Sequence, residues 1–273
     1  TFHTTGSGLM RAWAIANQKG GVGKTTTSLL LARGLATAGH RVLLLDLDPH
    51  ASLTRAFEIP TDPPPAGTHD LFNGGNASLI ELARYTEIPD LQVVAAQPAL
   101  ATLERRGATQ PGLGLALGRA LHTVRDLYDF VLMDCPPTLG LLMVNALAAA
   151  DRLIVPTQTD PLALHGLVGM LRTAEMVERS RRRPLPRHVL PTLFDRRTRS
   201  GVQSLDELQD RYGDKVWPYA VPMDTRLRDA AALVRVEPPE GRGVDAYRRA
   251  LKWLMSTEPS GDQDGSDQRR EAA

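Results

Sequence analysis

The chain of 273 residues is 42% hydrophobic and 23% charged, a composition that supports one large core or two small ones and excludes wholesale disorder. A formal net charge of +1 provides no global field for nucleic acid, so any basic surface must be local. The single cysteine, Cys135, rules out an intramolecular disulfide, and no apolar run of transmembrane length occurs, so the chain reads as cytoplasmic.

Residues 1–9 (TFHTTGSGL), short, polar and ahead of Met10, are expected to be an expression remnant. Residues 13–16 form the first apolar run of strand length, and 42–45, 91–95, 130–133, 153–155, 189–193 and, more weakly, 216–221 follow as further strands. Between them, apolar residues recur at three and four over 25–38, 113–127, 139–149, 162–179, 202–212 and 245–255, which predicts crossover helices. Continuous apolar strands alternating with such helices predict an α/β fold: a doubly wound, mostly parallel sheet with helices on both faces, in one domain over 10–255. The Pro-rich stretch 60–67 reads as a surface excursion. Residues 256–273 carry almost nothing apolar to offset chain entropy and are expected to be a disordered tail.

The first strand runs into Lys19-Gly20-Gly21-Val22-Gly23-Lys24-Thr25-Thr26, a glycine-rich turn leading into a helix. Backbone N–H groups and the positive helix end converge there, which suits a phosphate. Gly20, Gly21 and Gly23 let the backbone around Val22 wrap an anion, Lys24 reaches the terminal phosphates as a point charge, and the Thr25 hydroxyl suits Mg²⁺. The usual Gly-x-x-x-x-Gly-Lys-[Ser/Thr] pattern has its first glycine where this chain has Gln18, and a second lysine follows at Lys19. The loop is therefore a deviant Walker A version of the P-loop NTPase motif.

Asp46 and Asp48, in LLLDLDPHAS, and Asp134, in FVLMDCPP, follow apolar strands. They are expected at the crevice beyond the C-terminal ends of the strands, where α/β sheets bind ligands. Asp134 is assigned to Mg²⁺ through water, and Asp48 or Asp46 to orienting the attacking water, with Asp46 also a candidate metal ligand. ATP and Mg²⁺ are the implied cofactors.

The segments KGGVGKTT, DLDPHAS and DCPP, in this order and spacing, resemble the ParA/MinD family of deviant Walker ATPases. The likeness extends through NALAAADRLIVPTQTDPLALHGL, PTLFDRRT, VPMDTRLRDA and RGVDAYRRAL, across nearly all of 10–255. It implies an ATP-dependent sandwich dimer, in which Lys19 reaches the partner's nucleotide while Lys24 serves its own. By the same likeness Thr26 contacts the α-phosphate, Asp48 is the hydrolysis-linked aspartate, and Leu193, Phe194, Pro222 and Met223 lie near adenine.

The implied function is a slow, partner-stimulated ATPase acting as a dimerisation switch in subcellular positioning or partitioning, with a protein adaptor or cargo. Phrases such as ALATLERR, MVNALAA and VPMDTRLRDA are most similar to ParA-like proteins encoded with bacterial chemotaxis genes. That likeness implies chemoreceptor arrays as cargo and a place on the nucleoid or at the cell pole.

Chromosome-partitioning relatives carry Ile-Pro-Arg-Asn-Val-Arg where this chain has Val221-Pro222-Met223-Asp224-Thr225-Arg226, so one base is lost and an acid gained. Arg197, Arg199, Arg226 and Arg228, together with Arg196, remain candidate contacts for non-specific DNA. Chromosome or plasmid partitioning is the alternative function, and an ATP-binding regulator of a transcription activator with little turnover is another. A membrane role would need a basic amphipathic C-terminal helix, which the polar end of the chain does not supply. Cys135 reads as core packing, His50 as a polar turn residue where relatives often carry Gln, and Arg181-Arg182-Arg183 as a helix C-terminus.

Overall fold

The computed structural model describes residues 9–73, 77–106, 113–237 and 240–257. Of the expected remnant over 1–9 and the expected tail over 256–273, residues 1–8 and 258–273 lie outside the described residues. Seven strands, β1 (Arg11–Ile15), β2 (Val42–Asp46), β3 (Arg84–Tyr85), β4 (Leu91–Val94), β5 (Phe130–Asp134), β6 (Arg152–Gln158) and β7 (Arg187–Thr192), join in the order β3-β4-β2-β5-β1-β6-β7. Every pairing is parallel except that of the short edge strand β3 with β4.

The helices are α1 (Lys24–Thr37), α2 (Ser52–Ala56), α3 (Leu79–Leu82), α4 (Leu100–Arg106), α5 (Ala116–His122), α6 (Leu141–Ala149), α7 (Pro161–Arg181), α8 (Arg199–Tyr212), α9 (Ala230–Leu233) and α10 (Arg242–Ser256). Side chains alternate across the pleat, so successive residues of one strand enter opposite cores. Ala14, Leu43, Val131 and Leu153 pack with α5, α6 and α7, whereas Trp13, Leu44, Leu132 and Ile154 pack with α1 and α10. The doubly wound α/β architecture read from the sequence is the one observed.

Three local expectations need correction. Residues 216–221 do not form a strand: Val216 bridges Val189 and Pro222 lies opposite Phe194, but the ladder between them is broken. Pro218 and Pro222 have no N–H to donate, and only Trp217 and Val221 reach carbonyls of β7, at 3.0 and 2.9 Å. Within the helix expected over 113–127, only Ala116–His122 is α-helical. The Thr123 hydroxyl takes the Ala120 carbonyl at 2.8 Å, competing with helix continuation. Helix α10 continues through Ser256, the first residue of the expected tail.

The arginine run does mark a helix C-terminus, as expected, and does more besides. Arg182 ends α7 in a left-handed conformation, φ 53°, yet its neighbours serve a different helix. Arg181 donates to the Leu147 carbonyl at 2.5 Å and Arg183 to the Ala150 carbonyl at 3.0 Å, closing the C-terminal end of α6.

Candidate nucleotide site

β1 ends at the centre of the sheet, between β5 and β6, and the chain then turns through the glycine-rich loop into α1. Asn17, fully buried, fixes the start of the loop: its amide donates to the Pro156 carbonyl at 2.8 Å, and its oxygen accepts from the Lys19 N–H at 3.0 Å. Gln18 donates to the Thr173 hydroxyl of α7 at 2.9 Å. Gly21 and Gly23 have φ of 73° and 88°, the left-handed region that glycine enters without cost. A Cβ on Gly20 or Gly21 would meet nothing within 4 Å, so the concave side of the loop is open to an anion.

Lys24 opens α1 and is only 8% exposed. Its ammonium donates to the Lys19 carbonyl at 3.1 Å. Burial pulls its pKa down, while the nearby carboxylates of Asp134 and Asp48 and the Cys135 thiol act against that. Lys19 behaves differently: its ammonium lies 3.6 Å from Asp160, with both side chains about one-third exposed at 31% and 38%. Asp160 also caps α7, accepting the Leu162 N–H at 2.9 Å.

Asp46 and Asp134 are paired across β2 and β5, side by side at the C-terminal edge of the sheet. Burial drives both carboxyls well above the usual range, and each raises the other or feels a neighbouring aspartate. The Asp134 oxygens accept from the Thr25 hydroxyl at 2.8 Å and the Ser28 hydroxyl at 2.9 Å. Ser28 escaped the sequence reading; its spacing of four from Lys24 puts both on one helix face, which is the signal that would have found it.

Asp46 does not enter the cleft. Its carboxylate accepts the Thr54 N–H at 2.8 Å, the Thr54 hydroxyl at 2.6 Å and the Asp48 N–H at 3.0 Å, so it organises the β2–α2 turn. The structure thus separates the two aspartates of DLDPHAS, and Asp48 is the one that lines the cleft. Asp46 is placed as a support for that turn, away from the assigned metal and water-orienting roles.

The cleft has a volume of about 700 Å³ and runs from the glycine loop, past Thr25 and Thr26, toward Leu193 and Met223. That volume falls in the range of small-molecule sites, about 300–1,000 Å³. Phe194 and Pro222 are absent from its lining: Phe194 pairs its backbone with Val221 and Met223, at 3.0 and 2.9 Å. Val22 is fully buried, its carbonyl accepting from Thr192 at 2.8 Å, so it supports the loop from behind. Tyr247 lines the far wall and ties α10 to α1 through a 2.9 Å contact with the Thr27 hydroxyl. It was not anticipated, because the hydrophobic period of α10 alone marks it as core.

The arginines divide. Arg228 lines the cleft, which moves it from the candidate DNA face to the ligand site. Arg197 is held by Asp195 in a two-pronged pair, Nε at 2.9 Å and Nη2 at 2.8 Å, and Arg226 donates to the Glu240 carbonyl at 2.5 Å. Arg199 begins α8, exposed. Cys135 is buried, its thiol against the Met133 carbonyl at 3.5 Å and pushed up by burial, a packing role.

Among the described residues no cluster of three or more His, Cys, Asp or Glu is arranged to hold a metal ion. A Mg²⁺ at this site would therefore draw on the Thr25 hydroxyl, on Asp134 through water, and on phosphate oxygens. The 2.8 Å contact between Thr25 and Asp134 brings those two oxygens together, so the donor set fits.

Comparison with known proteins places the same features in context. An AAA domain family model matches residues 10–186. The chain is 37% identical over 247 residues to the sporulation initiation inhibitor protein Soj of Bacillus subtilis, covering 89% of this chain and 97% of Soj. It is 35% identical over 255 residues to the chromosome partitioning protein ParA of Caulobacter vibrioides, covering 91% and 95%. Among solved structures, a protein named cobyrinic acid a,c-diamide synthase from Mycobacterium smegmatis, with bound ADP and magnesium, is 34% identical with a TM-score of 0.78, covering 90% and 94%.

Proposed function

The chain belongs to the ParA/Soj family of P-loop ATPases, and from that premise we propose that it binds ATP with Mg²⁺ and works as a dimerisation switch in partitioning or positioning. The observation that carries this reading is the unequal setting of the two loop lysines. Lys24 is buried against its own loop, whereas Lys19 stands at the rim with one loose ion pair, free to exchange Asp160 for a phosphate of a second subunit. An exposed pair at 3.6 Å contributes little, about 0–1 kcal/mol, so that exchange costs little.

Within this reading Lys24, Thr25 and Thr26 hold the phosphates, and Thr25 and Asp134 hold the metal. Asp48 orients water for slow hydrolysis that a partner accelerates. Mg²⁺ contributes charge neutralisation of the phosphates when bound. Leu193 and Met223 flank the purine. Homodimerisation on ATP then controls binding to DNA and to a protein adaptor in the cytoplasm. Among the described residues no helix is long and apolar enough to cross a membrane.

The name of the Caulobacter ParA, a chromosome partitioning protein, supports partitioning as the process. A second reading, positioning of chemoreceptor arrays, is favoured by Met223 standing where partitioning relatives carry a base, by the added acid Asp224, and by the similarity of ALATLERR and VPMDTRLRDA to chemotaxis-linked proteins. The synthase name of the M. smegmatis protein points to a third chemistry, an ATP-consuming amidation of an acid.

Sedimentation with ADP and with a non-hydrolysable ATP analogue, in parallel with phosphate release from ATP and Mg²⁺ alone, tests the switch. The expected result is a dimer only with the analogue, and slow phosphate release without any acid acceptor. A monomer in both states, or phosphate release only with an acid acceptor, would overturn it. DNA binding at two salt concentrations separates the cargo readings: ATP-dependent, salt-sensitive binding supports the nucleoid as matrix.

A further inference from the structure

We propose that His50 is a positioning residue that fixes the orientation of the Asp48 carboxylate in the cleft. The inference deepens the reading of this cleft as a site of ATP hydrolysis and rests on it.

The DLDPHAS turn is built so that one residue supplies two donors to one oxygen. Asp48 Oδ1 accepts the backbone N–H of His50 at 2.9 Å and lies 2.9 Å from His50 Nδ1. An ionised carboxylate only accepts, so Nδ1 carries the hydrogen whether the ring is neutral or charged. The turn closes on itself through Ala51, whose N–H reaches the Asp48 carbonyl at 2.8 Å and whose φ is 53°. Pro49, with its fixed φ, lies between the two partners and limits their relative movement.

Two donors fill the two lone pairs of Oδ1. Among the described residues no donor reaches Oδ2, so one oxygen of Asp48 is held and the other is left for the cleft, whose lining includes both Asp48 and His50. Lys24, which feels the Asp48 charge, lines the same cleft. The Asp48 side chain is 15% exposed and the His50 side chain 79% exposed, so the imidazole covers the carboxylate from outside and loses little hydration in doing so. A free carboxylate turns about its last bond between two equivalent orientations. Those orientations are identical, so what the ring and the backbone N–H fix together is the plane of the carboxylate.

Positioning predicts a defect in turnover without one in binding. In the full chain, His50→Ala is expected to lower kcat about three- to tenfold with KM for ATP unchanged, and His50→Asn, whose amide nitrogen lies as many bonds from Cα as Nδ1 does, to recover most of it. A readout free of nucleotide accompanies these: the ¹⁵N spectrum of the imidazole in the wild-type protein should show hydrogen fixed on Nδ1 of His50, and Asp48→Ala, which removes the acceptor, should abolish that preference. Unchanged kcat in His50→Ala, or a His50 ring with no tautomer preference in the wild type, would overturn the positioning role. Absence of ATP hydrolysis by the wild type alongside an intact Nδ1 signature would instead overturn the ATPase reading and leave the contact standing. Circular dichroism of each variant separates a loss of fold from either outcome.

Discussion

The ammonium of Lys24 donates a hydrogen bond to the backbone carbonyl of Lys19 across 3.1 Å, which joins the two lysines of the phosphate loop while their charges face different neighbours. Removing one is therefore not equivalent to removing the other.

Lys24→Ala removes the buried cation and the brace of the loop together, and is expected to abolish productive nucleotide binding. Lys19→Ala leaves the Lys19 carbonyl in place, so nucleotide binding should persist while ATP-dependent dimerisation is lost. Analytical ultracentrifugation with a fluorescent ATP analogue reads both; full dimerisation of Lys19→Ala would remove the cross-subunit role.

Thr54 supports the Asp46 turn from both sides, donating to Asp46 at 2.6 Å and accepting from the Ala96 N–H at 2.8 Å. Thr54→Val keeps the shape and removes both contacts. It should destabilise the protein by about 1–3 kcal/mol, the cost of a buried polar group without its partner. Urea unfolding measures this, and a loss below 0.5 kcal/mol, within the scatter of neutral surface changes, would contradict it.

Gly67 passes so close to β4 that a Cβ there would sit 2.1 Å from the Ala95 carbonyl oxygen. Backbone cannot swing aside as a flexible side-chain end can. Gly67→Ala is expected to cost about 1–3 kcal/mol by overpacking, whereas Gly20→Ala, with open space around it, should cost much less. A comparison of thermal midpoints distinguishes them.

These results bear on what the sequence makes legible. Strand and helix positions around β1, β2, β5 and β6 follow from continuous apolar runs, and the phosphate loop follows from glycine spacing, because both are local properties. Asp46 and Asp48 look alike in sequence, each following apolar residues, and only the fold of the turn sends one to Thr54 and the other to the cleft. Arg228 likewise carries no local mark of its destination. The weak strand expected near Val216 does not form because Pro218 and Pro222 lack the donors a ladder needs, however apolar their neighbours. Tyr247 and Ser28 act through partners more than 100 residues away, at Thr27 and Asp134, a relation no local pattern encodes.

His188 offers a pH test outside the cleft. Its ring lies edge-on to Trp253, with centroids 5.2 Å apart, and burial followed by the charge of Arg152 lowers its pKa from 6.5 to about 4. The folded state thus holds fewer protons here than the unfolded chain. This site's contribution is intact above pH 6.5 and declines as pH falls toward 4, by at most about 1.4 kcal/mol per unit. Urea unfolding at pH 7 and pH 5 should show a smaller difference for His188→Gln than for the wild type; equal differences would refute the assignment.

The Gln18 contact with Thr173 ties the phosphate loop to the middle of α7, a rod of 21 residues spanning about 31 Å. The far end of that rod, through Arg181, holds the last turn of α6. Helix α7 therefore meets the phosphate loop at its N-cap, through Asp160, and at its middle, through Thr173, and meets α6 at its far end. The contacts that hold Lys19 and Gln18 and the contact that closes α6 are thus made by a single helix, so the loop and the end of α6 share one support.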